Sequence, residues 1–248
     1  MTQLACQTIT WGPERLSERY PDVVREVANV GYAGVETNLG ILSRYSDRLA
    51  QLREQHKLRF VAAHGGLNDL RSVVGDRAAI DGLKAVLKNA GVEYLLVSHV
   101  PEMDAQVYTQ IGNTLATLQN AVGDLGVTVL FHNHQHEIEN EWESLKRLCD
   151  TAGHRGIGLA VDFGWVLRGR VDLTKFISSM GTYIRYAHFK DFRNGDFVEL
   201  GQGDIGLERA IQAVKPLNLP WWVAEQDQSK GEPADSAARN YAFLRAFL

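Results

Sequence analysis

Short apolar or β-branched runs recur along the chain, each followed by a longer amphipathic stretch. The runs are LACQTIT (4–10), AGVET (33–37), LRFVAAH (58–64), VEYLLVS (92–98), VTVLFHNH (127–134), GIGLAVDF (156–163), YIRYAHFK (183–190) and WWVAEQD (221–227). This alternation predicts parallel strands covered by helices. With Thr8, Glu36, His64, Ser98, His132, Asp162, His188 and Glu225 as strand-end markers, the steps are 28, 28, 34, 34, 30, 26 and 37 residues. Each step holds one strand and one crossover helix. Between the runs, Ser17 to Val30 shows the 3.6-residue period and stops at Gly31, Asp104 to Val122 starts at an N-capping Asp, and Ser236 to Leu248 forms the last helix. Eight such units predict an α/β fold, a single (β/α)8 barrel over residues 1–248, near the ~250 residues typical of that architecture. The rival, an open doubly wound sheet, lacks a GxGxxG after its first strand. The longest step contains NGD (194–196) and GQGDIG (201–206), which predict a small hairpin or loop insertion over the barrel mouth.

Charged and imidazole side chains fall at the C-terminal ends of these strands, where barrels of this type carry their chemistry. Glu36 closes strand two, His64 strand three, His132 and His134 strand five, Asp162 strand six, His188 and Lys190 strand seven, Glu225 and Asp227 strand eight. The residues two before them along the strands are small or apolar: Gly34, Ala62, Leu130, Ala160, Tyr186 and Val223. Any one of these polar residues is readily explained as a hydrogen-bonded core or loop group. Six strand ends carrying Asp, Glu or His together would concentrate costly polar groups with no return in stability. Convergent carboxylates and imidazoles suit a borderline divalent ion, and the absence of cysteine there favours an open catalytic site over a closed thiolate one.

Composition narrows the partners. A net charge of −4 and 23% charged residues without a basic stripe speak against nucleic acid. Cys6 and Cys149 cannot build a disulfide framework, and no apolar run approaches the ~18 residues of a membrane span, so a cytoplasmic location is expected. Assembly into a homo-oligomer is left open.

The runs GYAGVE (31–36), HNH (132–134), DFGW (162–165), HFKD (188–191), GQGDIG (201–206) and AEQD (224–227) resemble, in order and spacing, the xylose-isomerase-like barrels of sugar isomerases and epimerases. Trp11, HFKDFR (188–193) and EQD (225–227) are most similar to the inosose dehydratase branch. The resemblance implies metal ligands at His132, Asp162, His188 and Glu225, with Glu36, His64, His134, Glu137, Trp165 and Lys190 around the substrate. It implies one divalent ion, with Mn²⁺ or Co²⁺ ahead of Mg²⁺ or Zn²⁺. Two positions depart from the family pattern: His132 stands where many epimerases have Glu, leaving Glu137 as the other strand-five ligand, and Trp165 stands where many have His.

These groups suit a reaction on a small polyhydroxy ketone or sugar. A Lewis acid stabilises the enediolate formed when a proton leaves the carbon beside a ketone. Glu225 is the expected base, and Glu137 or His134 the second proton carrier. Isomerisation or epimerisation is the first reading and dehydration of a keto-polyol the second. An inactive sugar-binding barrel and an apurinic endonuclease are the more distant ones. Lys190 is expected on substrate oxygens or a phosphate, or in an ion pair with Asp191 or Asp227. Gln202 and Asp204 are expected to shape a turn and N-cap the following helix, with capping of the substrate as the alternative.

Overall fold

A computed structural model describes residues 1–98 and 106–248. All eight expected strands form: β1 (Gln3–Gln7), β2 (Gly34–Asn38), β3 (Arg59–Gly66), β4 (Tyr94–Ser98), β5 (Thr128–His132), β6 (Gly158–Asp162), β7 (Ile184–Phe189) and, after a two-stranded insertion, β10 (Trp221–Ala224). Every pairing is parallel, and β1 pairs with both β2 and β10, so the sheet closes. Closure rules out the open doubly wound sheet. The insertion is the expected one, an antiparallel hairpin of β8 (Asp191–Arg193) and β9 (Asp196–Val198) turning at Asn194 and Gly195, both with positive φ.

Strand residues alternate between two apolar clusters. Ala5, Val61, Ala62, Leu96, Leu130, Ala160, Tyr186, Trp221 and Val223 fill the barrel interior. Their neighbours face outward into the larger core under the helices. Five of the six small or apolar positions read from the sequence lie in that inner cluster. At the sixth, Gly34, a Cβ would sit 2.3 Å from Val61 and 2.9 Å from Trp221, so the large indole is accommodated by the missing side chain. Trp221 and Trp222 divide between the inner and outer clusters, both as packing groups. The interior is thus a plug of apolar side chains, and polar groups accumulate only above it.

The first crossover helix runs Gly12–Val30, five residues longer at its start than the periodicity suggests, with Pro13 in its first turn and Gly31 (φ 109°) ending it. The third long helix spans Gln106–Val122; its expected N-cap, Asp104, lies outside the described residues. The last covers Pro233–Arg245. Cys6 and Cys149 are separate buried thiols. Among the described residues no helix is long and apolar enough to cross a membrane.

Candidate functional site

Four strand ends meet above the plug. His132 ends β5, Asp162 ends β6, His188 lies on β7 as the register partner of Asp162, and Glu225 follows β10 with its N–H on the Phe189 carbonyl at 3.0 Å. All four are buried, and each offers one ligand atom within 4.8 Å of the others. Segments as distant in sequence as 132 and 225 therefore converge on one point.

The bonding within this group is incomplete in a specific way. His132 Nδ1, Asp162 Oδ2, His188 Nδ1 and Glu225 Oε2 are buried with no hydrogen-bond partner, although His188 Nδ1 and Glu225 Oε2 are only 2.7 Å apart. At that separation the two groups form a close ion pair. The far atoms are firmly held. Asp162 Oδ1 accepts from the Gly164 and Trp165 amides at 2.8 and 3.3 Å, capping the helix Phe163–Arg168. His188 Nε2 meets Glu36 Oε2 at 2.8 Å. Imidazole anchored on one nitrogen by a carboxylate, with the other nitrogen turned into the cluster, is the outer-sphere arrangement that orients metal-binding histidines. Unpaired buried polar atoms are costly in isolation, so four aimed together fit a cation that would satisfy all of them.

Electrostatics point the same way. Burial would lower the His188 pKa, but Glu36 and Glu225 reverse this and push it up to about 10. Burial and the charge on His188 hold His132 well below its ordinary range, so it is a neutral donor. Burial raises Asp162 to about 6 against the pull of Lys190. For Glu36 and Glu225 burial acts upward, yet the facing cations win and both stay ionised. Lys190 is only 2% exposed, with Nζ 3.3 Å from Asp162, 3.2 Å from Glu225 and 2.8 Å from Asp227. Burial opposes its charge and these carboxylates more than restore it. Four carboxylates (Glu36, Asp162, Glu225, Asp227) thus face two cations, His188 and Lys190. The inner site is over-supplied with negative charge.

A cavity of about 650 Å³ opens above the cluster, with His64, His132, His134, Lys190, Glu225 and Asp227 among its polar lining. A larger hollow of about 1200 Å³ lies outside the mouth beside Arg168, Asp172 and Arg209. It contains none of the cluster. His64 presents an unpartnered Nε2 while its Nδ1 rests on Glu36 at 3.1 Å. His134 is neutral, burial bringing its pKa to about 4 despite Glu137.

Two expected site residues lie elsewhere. Glu36 does not line the cavity; it is fully buried beneath it and bridges His64 and His188. Glu137, expected as a proton carrier or strand-five ligand, is also fully buried. Its Oε2 accepts from the His134 amide at 2.7 Å and its Oε1 from the Tyr108 hydroxyl at 3.0 Å, with His136 Nε2 2.8 Å away. It groups with His134 and His136, apart from the cluster that takes His132. Trp165 lines an adjoining hollow with His134 and Ser98, and its ring lies 5.1 Å from the Lys190 ammonium and 4.9 Å from the Phe192 ring. Gly164 makes that seat, since a Cβ there would be 2.5 Å from the Lys190 carbonyl oxygen. Lys190 pairs with Asp227 as one expectation had it, whereas Asp191 turns to the Gly201 and Gly203 amides at 2.9 and 3.0 Å and shapes the GQGDIG loop. In that loop Asp204 accepts from the Asn194 amide, a turn role as expected.

Asn133 was not singled out by sequence reasoning. Its amide clamps the Asp162 backbone, accepting from N–H at 3.0 Å and donating to C=O at 3.4 Å. It sits inside HNH, whose flanking imidazoles drew the attention.

Comparison with known proteins gives the same architecture. The crystal structure of a sugar phosphate isomerase/epimerase from Parabacteroides distasonis superposes with a TM-score of 0.80 at 14% identity, covering 100% of this chain and 97% of that one. D-allulose 3-epimerase from Methylomonas sp. gives 0.80 at 12% identity over 100% and 98%. The IolI protein with a binding zinc atom gives 0.77 at 16% identity over 99% and 98%. These likenesses establish the fold. A sequence comparison with curated proteins returned no match. The family profile described as xylose isomerase-like TIM barrel matches residues 24–247, and the chain belongs to that family.

Proposed function

We infer that the protein is a divalent-metal-dependent sugar isomerase or epimerase acting on a small polyhydroxy ketone through an enediolate. The observation that carries this reading is the convergence of one ligand atom from each of the buried residues His132, Asp162, His188 and Glu225 within 4.8 Å, each residue also holding a buried polar atom that makes no hydrogen bond. Those residues would hold the ion, with Mn²⁺ or Co²⁺ favoured by the mixed imidazole and carboxylate set. Bound there, it would supply Lewis-acid stabilisation of the oxygen that gains charge when the neighbouring C–H loses its proton.

The chain's own groups do the rest. Glu225 is ionised and borders the cavity, so it is the base that takes the proton. His134 and His64 border the same cavity, each with an unpartnered ring nitrogen able to carry the proton onward. Glu36 fixes the His64 ring by holding Nδ1. Lys190, held by Trp165 and three carboxylates, positions the Glu225 and Asp162 oxygens. Return of the proton to the opposite face epimerises, and delivery to the adjacent carbon isomerises. A dehydratase would share the first step and expel a β-hydroxyl afterwards.

Turnover of a ketose in deuterated water with Mn²⁺ should place deuterium on the carbon beside the ketone, read by proton NMR. Conversion with hydride-type transfer and no label in product or recovered substrate would contradict the enediolate.

Proton linkage gives a second prediction. The folded, metal-free protein holds the His188 proton up to about 10, above its ordinary 6.5. Its stabilising contribution is therefore full below 6.5 and fades as pH rises to about 10. Metal binding must displace that proton from Nδ1, so Mn²⁺ affinity should climb up to about tenfold per pH unit across this window. Calorimetric titrations at several pH values read the slope, and a flat profile from pH 7 to 9 would show that no such proton is displaced.

A further inference from the structure

The turn after β5 holds a second group of ligating side chains, outside the cluster that takes His132. His134, His136 and Glu137 each offer one donor atom, and these atoms lie within 4.8 Å of one another. They occupy positions i, i+2 and i+3 of one short segment, which the 3-10 turn Gln135–Glu137 folds together. His136 has no part in the reaction described above.

Three observations point to a cation. The first is an under-compensated charge. Glu137 is fully buried, yet among the described residues no Lys or Arg pairs with it, and its ion-pair partner there is His136, with Nε2 2.8 Å from Oε1. A buried carboxylate is costly unless its charge is met. Its direction is fixed all the same, since the His134 amide and the Tyr108 hydroxyl donate to it at 2.7 and 3.0 Å. Those bonds use two of a carboxylate's about four lone-pair positions, and bonds of this kind hold ligating carboxylates in place. The second observation is that His134 Nδ1 and His136 Nε2 are buried and make no hydrogen bond. The third is a way in. The hollow of about 740 Å³ that His134 and His136 border also carries Asp69 and Glu139, and its described lining holds no Lys or Arg. Negative charge in a concave wall concentrates cations.

We propose that His134, His136 and Glu137 form a second metal site, selective for Zn²⁺ and separate from the four-residue cluster, with its remaining coordination position open to this hollow. Two imidazoles, one carboxylate and an open position are a donor set that zinc accepts in tetrahedral geometry. Mn²⁺ is the weakest binder of the first-row divalent ions, so Mn²⁺ that fills the four-residue cluster should leave this site empty. An ion here draws on His134. Excess Zn²⁺ should therefore slow turnover and leave His64 as the onward proton carrier; that consequence rests on the enediolate reading above, and the binding itself does not.

Zinc titration of the EDTA-stripped protein, read by calorimetry and by anomalous diffraction at the zinc edge, tests the proposal. The wild type should take up two Zn²⁺ at micromolar concentrations, with one diffraction peak about 2.0–2.2 Å from donor atoms of His134, His136 and Glu137. His136→Gln should weaken that equivalent by at least about 100-fold, beyond the 10–100-fold that losing a mere supporting group costs. The peak at the four-residue cluster should persist in the variant. The diffraction arm uses the wild type and stands whether or not the variant folds. A single zinc equivalent with no peak at His134, His136 and Glu137 overturns the proposal. So does a second equivalent that appears only at millimolar Zn²⁺, as scattered surface histidines give, or one that His136→Gln leaves unchanged. A peak at this site with none at His132, Asp162, His188 and Glu225 would sink the proposed function and spare the second site.

Discussion

Glu225→Gln should reduce turnover by at least about 10³-fold, the scale of losing a positioned general base together with part of a metal's coordination. It should leave the metal-free fold nearly as stable as before. The substitution keeps the shape of a side chain that sits above the apolar plug and removes one negative charge from a site that has four carboxylates against two cations. Lys190 keeps Asp162 and Asp227, and His188 keeps Glu36. The usual penalty for breaking a buried ion pair comes from an uncompensated charge, and here each of the two cations retains a carboxylate partner. Steady-state kinetics and urea unfolding of the same preparation check both halves. Full activity in this variant would remove Glu225 from the mechanism; wholesale unfolding would mean that the carboxylate is a structural counter-ion first.

Lys190→Met should do the reverse. It preserves much of the side chain's bulk against Trp165 and Phe197, yet strips one of two cations from among four buried or half-buried carboxylates. Leaving those charges uncompensated should destabilise the metal-free protein by about 3–5 kcal/mol, a large share of the ~5–15 kcal/mol that holds a typical protein folded. A divalent ion at the cluster restores positive charge in the same place. The stabilisation conferred by Mn²⁺ should therefore be larger in Lys190→Met than in wild type, because linkage adds the binding free energy only to the folded state. Urea midpoints with Mn²⁺ and with EDTA give the comparison. Equal metal-induced shifts in the two proteins would show that Lys190 and the ion do not share one electrostatic environment.

The barrel was legible because its signals are local and repeated. Each strand is a short apolar run, each ends in a polar residue, and the spacing of Thr8 through Glu225 carries the crossover helices between them. The insertion, expected as a hairpin or loop, was legible from the turn-rich NGD and GQGDIG, since Asn194 and Gly195 tolerate the positive φ a tight turn needs. That strand-end carboxylates and imidazoles meet followed from barrel geometry, in which strand ends share one rim, while the choice of His132, Asp162, His188 and Glu225 among them came from the resemblance to the xylose-isomerase-like barrels.

What escaped was side-chain direction past the strand ends. Glu36 precedes its loop like a substrate contact, but the β2–β3 register shift between Val35 and Glu36 accompanies a carboxylate directed onto two imidazoles. Glu137 looked able to reach back to the mouth. Instead a 3-10 turn, Gln135–Glu137, folds its carboxylate onto the His134 amide, and Asn140, Glu141 and Trp142 then pass through positive φ. No glycine announces that left-handed turn, so periodicity could not find it.

The central claim is that one divalent ion is gripped where these strand ends meet. Anomalous diffraction from crystals equilibrated with Mn²⁺ tests it most directly. The account predicts a single strong peak about 2.0–2.2 Å from a nitrogen or oxygen of each of His132, Asp162, His188 and Glu225. A peak at His134, His136 and Glu137 instead, or none at saturating Mn²⁺, would contradict it.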